Sequence, residues 1–307
     1  MTIENRDAGD QKSLDKTLDK TLDKPLHVVA CIDGSDAALA VCDYAAWASQ
    51  RMAAPLMLLH VLDEEKYPAQ TDMTGSIGLG SREQLQEELV SLDQKRSKLA
   101  LKHGHVMLDE AEKRVLAAGI DKVAKRQRHD ELAGSLAELA PDSQLFVMGL
   151  HGETSAAAGR HVGSQLETVI RSVQRPILVV PDKYVQPRSA MLAFDGSETA
   201  FRSIELLSAT PVFQGMPLHL VLIGADTPEH QSELKRAERL LSAQGSEIHL
   251  AIRDGDVEQT LHAYQEEHDI DVLIMGAYGH SRIRRFLVGS TTTRMLETAK
   301  KPLVILR

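Results

Sequence analysis

The chain has 307 residues, 43% of them hydrophobic, and a formal net charge of −9. That is enough chain for two domains with real cores, while the negative balance argues against nucleic acid or an acidic membrane as the main partner. No apolar run approaches the roughly 18 residues of a bilayer span, and the polar N-terminus lacks a signal-type apolar region. Cys31 and Cys42, the two cysteines, have no metal-ligand spacing, and a cytoplasmic protein is expected.

In chain order, residues 1–24 carry L-D-K-T-L-D-K-T-L-D-K, with Leu14, Leu18 and Leu22 on one helical face. Three leucines cannot hold a helix alone, so a mobile tail is expected, with a partner-induced helix as the alternative. A first domain is read over 25–182. Its opening strand V-V-A-C-I ends in Asp33-Gly34-Ser35, with Cys31 as a buried free thiol. A second strand over about 56–62 is followed by an insertion, 64–105. The insertion holds T-D-M-T-G-S-I-G-L-G-S (71–81) and then a charged helical segment from Arg82 to about Lys102, ahead of a helix ending near Gly119. Gly75, Gly78 and Gly80 follow no strand directly and have no basic partner, so they predict a flexible loop rather than a phosphate cradle. Pro181, Asp182, Lys183 and Pro187 mark a junction near 182–189.

The second domain, 189–307, alternates strictly. Strands are predicted at 190–195, 217–223, 246–252, 271–276 and 302–306, and helices at 198–209, 229–244, 256–267 and 290–300. Such alternation implies a parallel sheet covered on both faces. The stripes Val257, Leu261, Tyr264 and Thr292, Met295, Leu296, Ala299 mirror Leu132, Leu136, Leu139 and Leu166, Val169, Ile170, Val173, and are expected in the core.

The two domains are copies. Gly163-Ser164 and Gly289-Ser290 lie 126 residues apart, as do Arg175-Pro176 and Lys301-Pro302. Asp33 and Asp195 lie 162 apart, and the difference, 36, is the extra length of the first copy. So long a period indicates duplicated domains, not a solenoid.

Function gathers at the strand ends. An apolar strand runs into Gly276 and Gly279 and then, after nine intervening residues, Gly289-Ser290. Strand, glycine loop and helix together present backbone N–H groups to phosphate. At a strand-order reversal, Asp195 would face this loop and accept hydrogen bonds from an adenine or ribose. Ser290 and Thr291 open the next helix, where the dipole favours anions. The bland alternative is local: D-G-S caps a helix, the glycines make a turn, and Ser290 is a cap.

With its strand-one aspartate and its G-x2-G-x9-G-[ST] loop, the chain resembles a tandem universal stress protein over about 26–181 and 189–307. The resemblance implies two flavodoxin-like domains, each a doubly wound parallel five-stranded sheet. It further implies that their last strands pair as an internal pseudo-dimer, with ATP binding and a role in stress survival. The nucleotide-binding residues it implies are Asp195, Gly276, Gly279, Gly289 and Ser290, beside Thr291 and the cationic Arg284. The first copy departs from the pattern, because ten residues (153–162) separate Gly152 from Gly163. Arg282, Arg284 and Arg285 can counter a polyphosphate, whereas the first loop has Arg160 nearby and Glu153 in opposition. Asp33, Gly149, Gly152, Gly163 and Ser164 therefore form a weaker second site.

His151, His161 and His280 show no metal-ligand spacing, and the chain has no P-loop, so neither a metal centre nor that NTPase class is expected. Three functions stay open: an ATP-binding regulator or sensor, with or without Mg²⁺; a slow ATPase; and an interaction scaffold with vestigial sites. No residue is identified as a general base, so no catalytic residue is assigned. The expected partners are an adenine nucleotide and either a second copy or a regulatory protein.

Overall fold

The apolar runs become strands and the striped segments helices in a computed structural model that describes residues 25–63, 81–152, 164–242, 245–276 and 290–307. The first half runs β1 (His27–Cys31), α1 (Ala38–Met52), β2 (Leu56–Leu62), α2 (Ser81–Ala117), β3 (Val123–His129), α3 (Leu132–Leu139), β4 (Ser143–Gly149), α4 (Ser164–Ser172) and β5 (Ile177–Val180). The second repeats it as β6 (Ala190–Phe194), α5 (Glu198–Ser208), β7 (Leu218–Ile223), α6 (Pro228–Leu241), β8 (Ile248–Arg253), α7 (Val257–Glu267), β9 (Val272–Gly276), α8 (Ser290–Thr298) and β10 (Leu303–Leu306).

Among the described residues the strands join one ten-stranded sheet in the order β3-β2-β1-β4-β5-β10-β9-β6-β7-β8. Pairing is parallel within each half. Only at the centre do β10 and β5 run antiparallel, with Leu303 opposite Val179 and Ile305 opposite Ile177. These strands, I-L-V-V and L-V-I-L, are buried throughout, as a strand covered on both faces must be. Each half is thus a doubly wound, flavodoxin-like unit, and the chain forms its own pseudo-dimer. Alternation divides the core: Val28 and Ala30 enter one layer, Val29 the other, and each layer continues from one half into the next. Beside the sheet, Trp47 on α1 meets Phe213 with ring centroids 6.3 Å apart, and Arg51 Nε donates to Val212 O at 3.1 Å.

Two expectations change. The inserted charged segment is not a separate helix: α2 is continuous over 37 residues. Leu, Lys, Glu, Gln and Ala carry it without a proline, and its one interior glycine suits a close approach. At Gly104 a Cβ would stand 2.6 Å from Gln127 Nε2 and 2.8 Å from His60 Nε2, so the helix can cross β2 and β3 there only without a side chain. Val257, expected in the core, is 39% exposed because it sits on the first turn of α7, while Leu261 and Tyr264 are buried. The glycines at 75, 78 and 80 and the leucines of the tail lie outside the described residues.

Candidate functional site

The strand order reverses between β1 and β4, and again between β6 and β9. A ligand crevice in such a sheet opens at the carboxyl ends of these strands. In the first half Asp33 follows β1, and its Oδ1 accepts from Ser35 N at 3.1 Å and from Ser35 Oγ at 2.5 Å. Gly149 ends the neighbouring β4. A Cβ there would stand 2.9 Å from Ala37 Cβ, which is closer than real side chains approach, so the strand end seats against the β1–α1 turn only as glycine. A Cβ at Gly152 would lie 3.5 Å from Asp33 Oδ2. Asp33, Gly149 and Gly152 are thereby brought together at one strand reversal.

Two further groups lie close in sequence to these residues. His151 Nδ1 is buried and has no hydrogen-bond partner among the described residues. Cys31 has its thiol pushed up to about 12, first by burial and then by the charge of Asp33. It is no thiolate nucleophile near neutral pH. Cys42 is likewise raised to about 12, chiefly by burial.

The second crevice is built differently. Asp195 Oδ1 accepts from Ser197 N at 3.0 Å, and Ser197 Oγ accepts from Ala200 N at 3.1 Å, capping α5. The capping reading of D-G-S is therefore correct in this half. It does not compete with ligand recognition, because an ionised carboxylate has about four acceptor positions. Gly196 has φ +71°, and a Cβ on it would overlap the carboxylate of Glu233 from α6. Gly276 ends β9, where a Cβ would be 3.3 Å from Ser203 Oγ. Thr291, half-buried, and the buried Thr292 follow in the first turn of α8.

Ser164 and Ser290 are the opening residues of α4 and α8, at the helix N-termini where the sequence places them. Gly163, Gly279, Arg284 and Gly289 lie outside the described residues, together with Arg160, Arg282, Arg285, His161 and His280. Sequence reasoning missed Glu233. No local pattern marks it, since topology alone carries α6 over the Asp195-Gly196 turn. Among the described residues no group of three or more His, Cys, Asp or Glu is placed to hold a metal ion.

Sheet order, reversal and paired strand-end turns define a tandem, doubly wound α/β protein. Comparison with known proteins is specific. The profile described as "Universal stress protein family" matches residues 26–181 and 202–307. Universal stress protein Slr1230 of Synechocystis is 32% identical over 285 residues, covering 92% of this chain and 99% of that one. Among solved structures, a universal stress protein from Archaeoglobus fulgidus superposes with a TM-score of 0.62 at 17% identity, covering 92% of this chain and 96% of its own. A putative universal stress protein from Pseudomonas aeruginosa superposes with a TM-score of 0.57 at 15% identity, covering 92% and 93%. The chain belongs to the universal stress protein family. The second profile match starts after β6, yet the sheet order gives β6 and Asp195 the same station as β1 and Asp33.

Proposed function

We propose that the chain is an adenine-nucleotide-binding stress regulator whose second half carries the stronger site. The reading is supported above all by one observation: in each half a carboxylate following the first strand and a glycine ending the fourth strand stand at the strand-order reversal. Asp195 would accept from the nucleoside, as Asp33 would in the weaker first site. Gly276, Gly279 and Gly289 would let the backbone approach the phosphates, and Ser290 and Thr291 would add N–H and hydroxyl donors at the α8 N-terminus. Arg284 would offset phosphate charge. Binding would act by changing conformation or partner. A role in stress response is supported by family membership, and a cytoplasmic location agrees with the finding that, among the described residues, no helix is long and apolar enough to cross a membrane.

The slow-ATPase reading asks for a base near the attacking water. Glu233, whose carboxylate stands against Gly196, comes from a helix with no motif, and neither it nor another residue is assigned as that base. Binding without efficient turnover is therefore favoured. Calorimetry with ATP and Mg²⁺ on the intact chain and on Gly289→Val tests the proposal. Micromolar affinity lost in the variant supports the regulator; no heat with the intact chain leaves the scaffold.

A further inference from the structure

The insertion that distinguishes the first half ends in an outward-facing apolar stripe. On α2, Ser97, Leu108, Ala111 and Val115 turn inward and are buried. Ion pairs hold the same end: Lys125 Nζ lies 2.7 Å from Asp109 and 2.6 Å from Glu112, and Arg114 lies 2.6 Å from Asp43. Pinned there, the helix presents its other face to solvent. Leu92 and Leu99 are 60% and 68% exposed, and Leu89 and Val106 are exposed with them. Leu92, Leu99 and Val106 recur every seven residues, with Leu89, Arg96 and His103 at the alternating position, which is the spacing of a two-helix seam. Four exposed large hydrophobics on one face of one helix are more than the scattered singles a monomer surface normally shows.

Charge selects the occupant. Residues 88–93 include Glu88 and Asp93, whereas 95–102 include Lys95, Arg96, Lys98 and Lys102. A parallel copy would set like charge on like. An antiparallel copy, related by a twofold axis near residues 94–95, sets each acidic block over the basic block of its partner and brings Leu89 beside Leu99. We infer that α2 is a self-complementary docking surface through which two copies of this chain pair antiparallel. This contact is separate from the β5–β10 pairing, which joins the halves within one chain. It would link two complete proteins through the insertion.

Sedimentation of the full chain at micromolar concentration tests the inference, with the double variant Leu92→Glu, Leu99→Glu beside it. The intact chain should sediment at twice the chain mass and the variant at the monomer mass. Both positions are exposed, so helical signal and melting should be retained. A monomeric intact chain, or a variant that stays dimeric, overturns the inference. Orientation is read by oxidation. Arg96→Cys, near the twofold, should crosslink, while Leu89→Cys, about 15 Å from its copy at 1.5 Å per residue, should not. Equal crosslinking of both would mean a parallel pair and defeat the charge argument.

Discussion

At the end of β1, Ser35 turns back and donates its hydroxyl to Asp33, and α1 begins without a side-chain cap. At the end of β6, Ser197 caps α5 instead, and Asp195 holds the turn through the Ser197 N–H. The same three residues, D-G-S, thus make two different local structures. In the first half the aspartate is tied by serine's N–H and hydroxyl. In the second, the carboxylate of Glu233 from α6 stands against the following Gly196. Duplication preserved the sheet, whose central strands β5 and β10 are buried throughout and must stay in register.

The largest expected effect asks whether the halves are separable at all. Each core layer crosses the β5–β10 seam, and Trp47 is buried where α1 meets Phe213. Trp47→Ala should cost about 3–5 kcal/mol, the usual toll of emptying an aromatic core position. If the halves form one cooperative unit, thermal unfolding should shift as a single transition. Two transitions, only one of them moved, would mean that the halves unfold independently and that the seam contributes little.

Next in size is the contrast between the two loops. Gly289→Val should weaken ATP binding by roughly a hundredfold, near 3 kcal/mol, while Gly163→Val should change it little. Equal losses would make the sites equivalent and remove the distinction drawn from the loop lengths. A smaller effect separates the two roles of the strand-one carboxylates. An Asn side-chain oxygen can accept the same Ser197 N–H, so Asp195→Asn should keep the melting temperature while lowering affinity by about tenfold, or 1.4 kcal/mol. Asp33→Asn should leave the dominant binding event unchanged. An unaltered affinity in Asp195→Asn would reduce that residue to holding the turn through the Ser197 N–H.

Much of this organisation is legible in the sequence, for identifiable reasons. Strands such as Ile177–Val180 and Leu303–Leu306 announce themselves because burial on both faces demands unbroken apolar residues. The 126-residue offset exposes the duplication. What stays illegible is set by tertiary contact. Gly104 looks like a helix breaker until His60 and Gln127 are found beneath it. Val257 shares the periodicity of Leu261 but not its burial, because it is the first residue of α7. Glu233 reaches the candidate site from an element with no motif. Whether Ser35 or Ser197 caps its helix cannot be read from two identical tripeptides.

The smallest effect lies in the layer beneath α7, where the halves differ in kind. In the first half Met57 pairs with Ala124 across β2 and β3, under Leu139. The corresponding places in the second half hold His219 and His249, under Tyr264. His219 Nδ1 lies 2.9 Å from Tyr264 Oη, and its ring is 4.5 Å from that of His249 and 5.2 Å from that of His268. Burial first, and then the neighbouring His249 and His268, lower its pKa from 6.5 to about 4, against a weaker opposing pull from Glu247. The unfolded chain therefore takes up a proton near 6.5 that the folded chain refuses until about 4. Stability contributed by the neutral ring is complete above the higher value and is lost as pH falls towards the lower one. His219→Met, which restores the first half's residue, should flatten this part of the melting-temperature profile. The Tyr264 hydroxyl loses a partner in that variant, so its melting temperature at neutral pH can fall, and the slope rather than the level is diagnostic. The ring is partly open to solvent, so the change in slope should be modest. An unchanged slope would assign the acid sensitivity of the second half to its carboxylates instead.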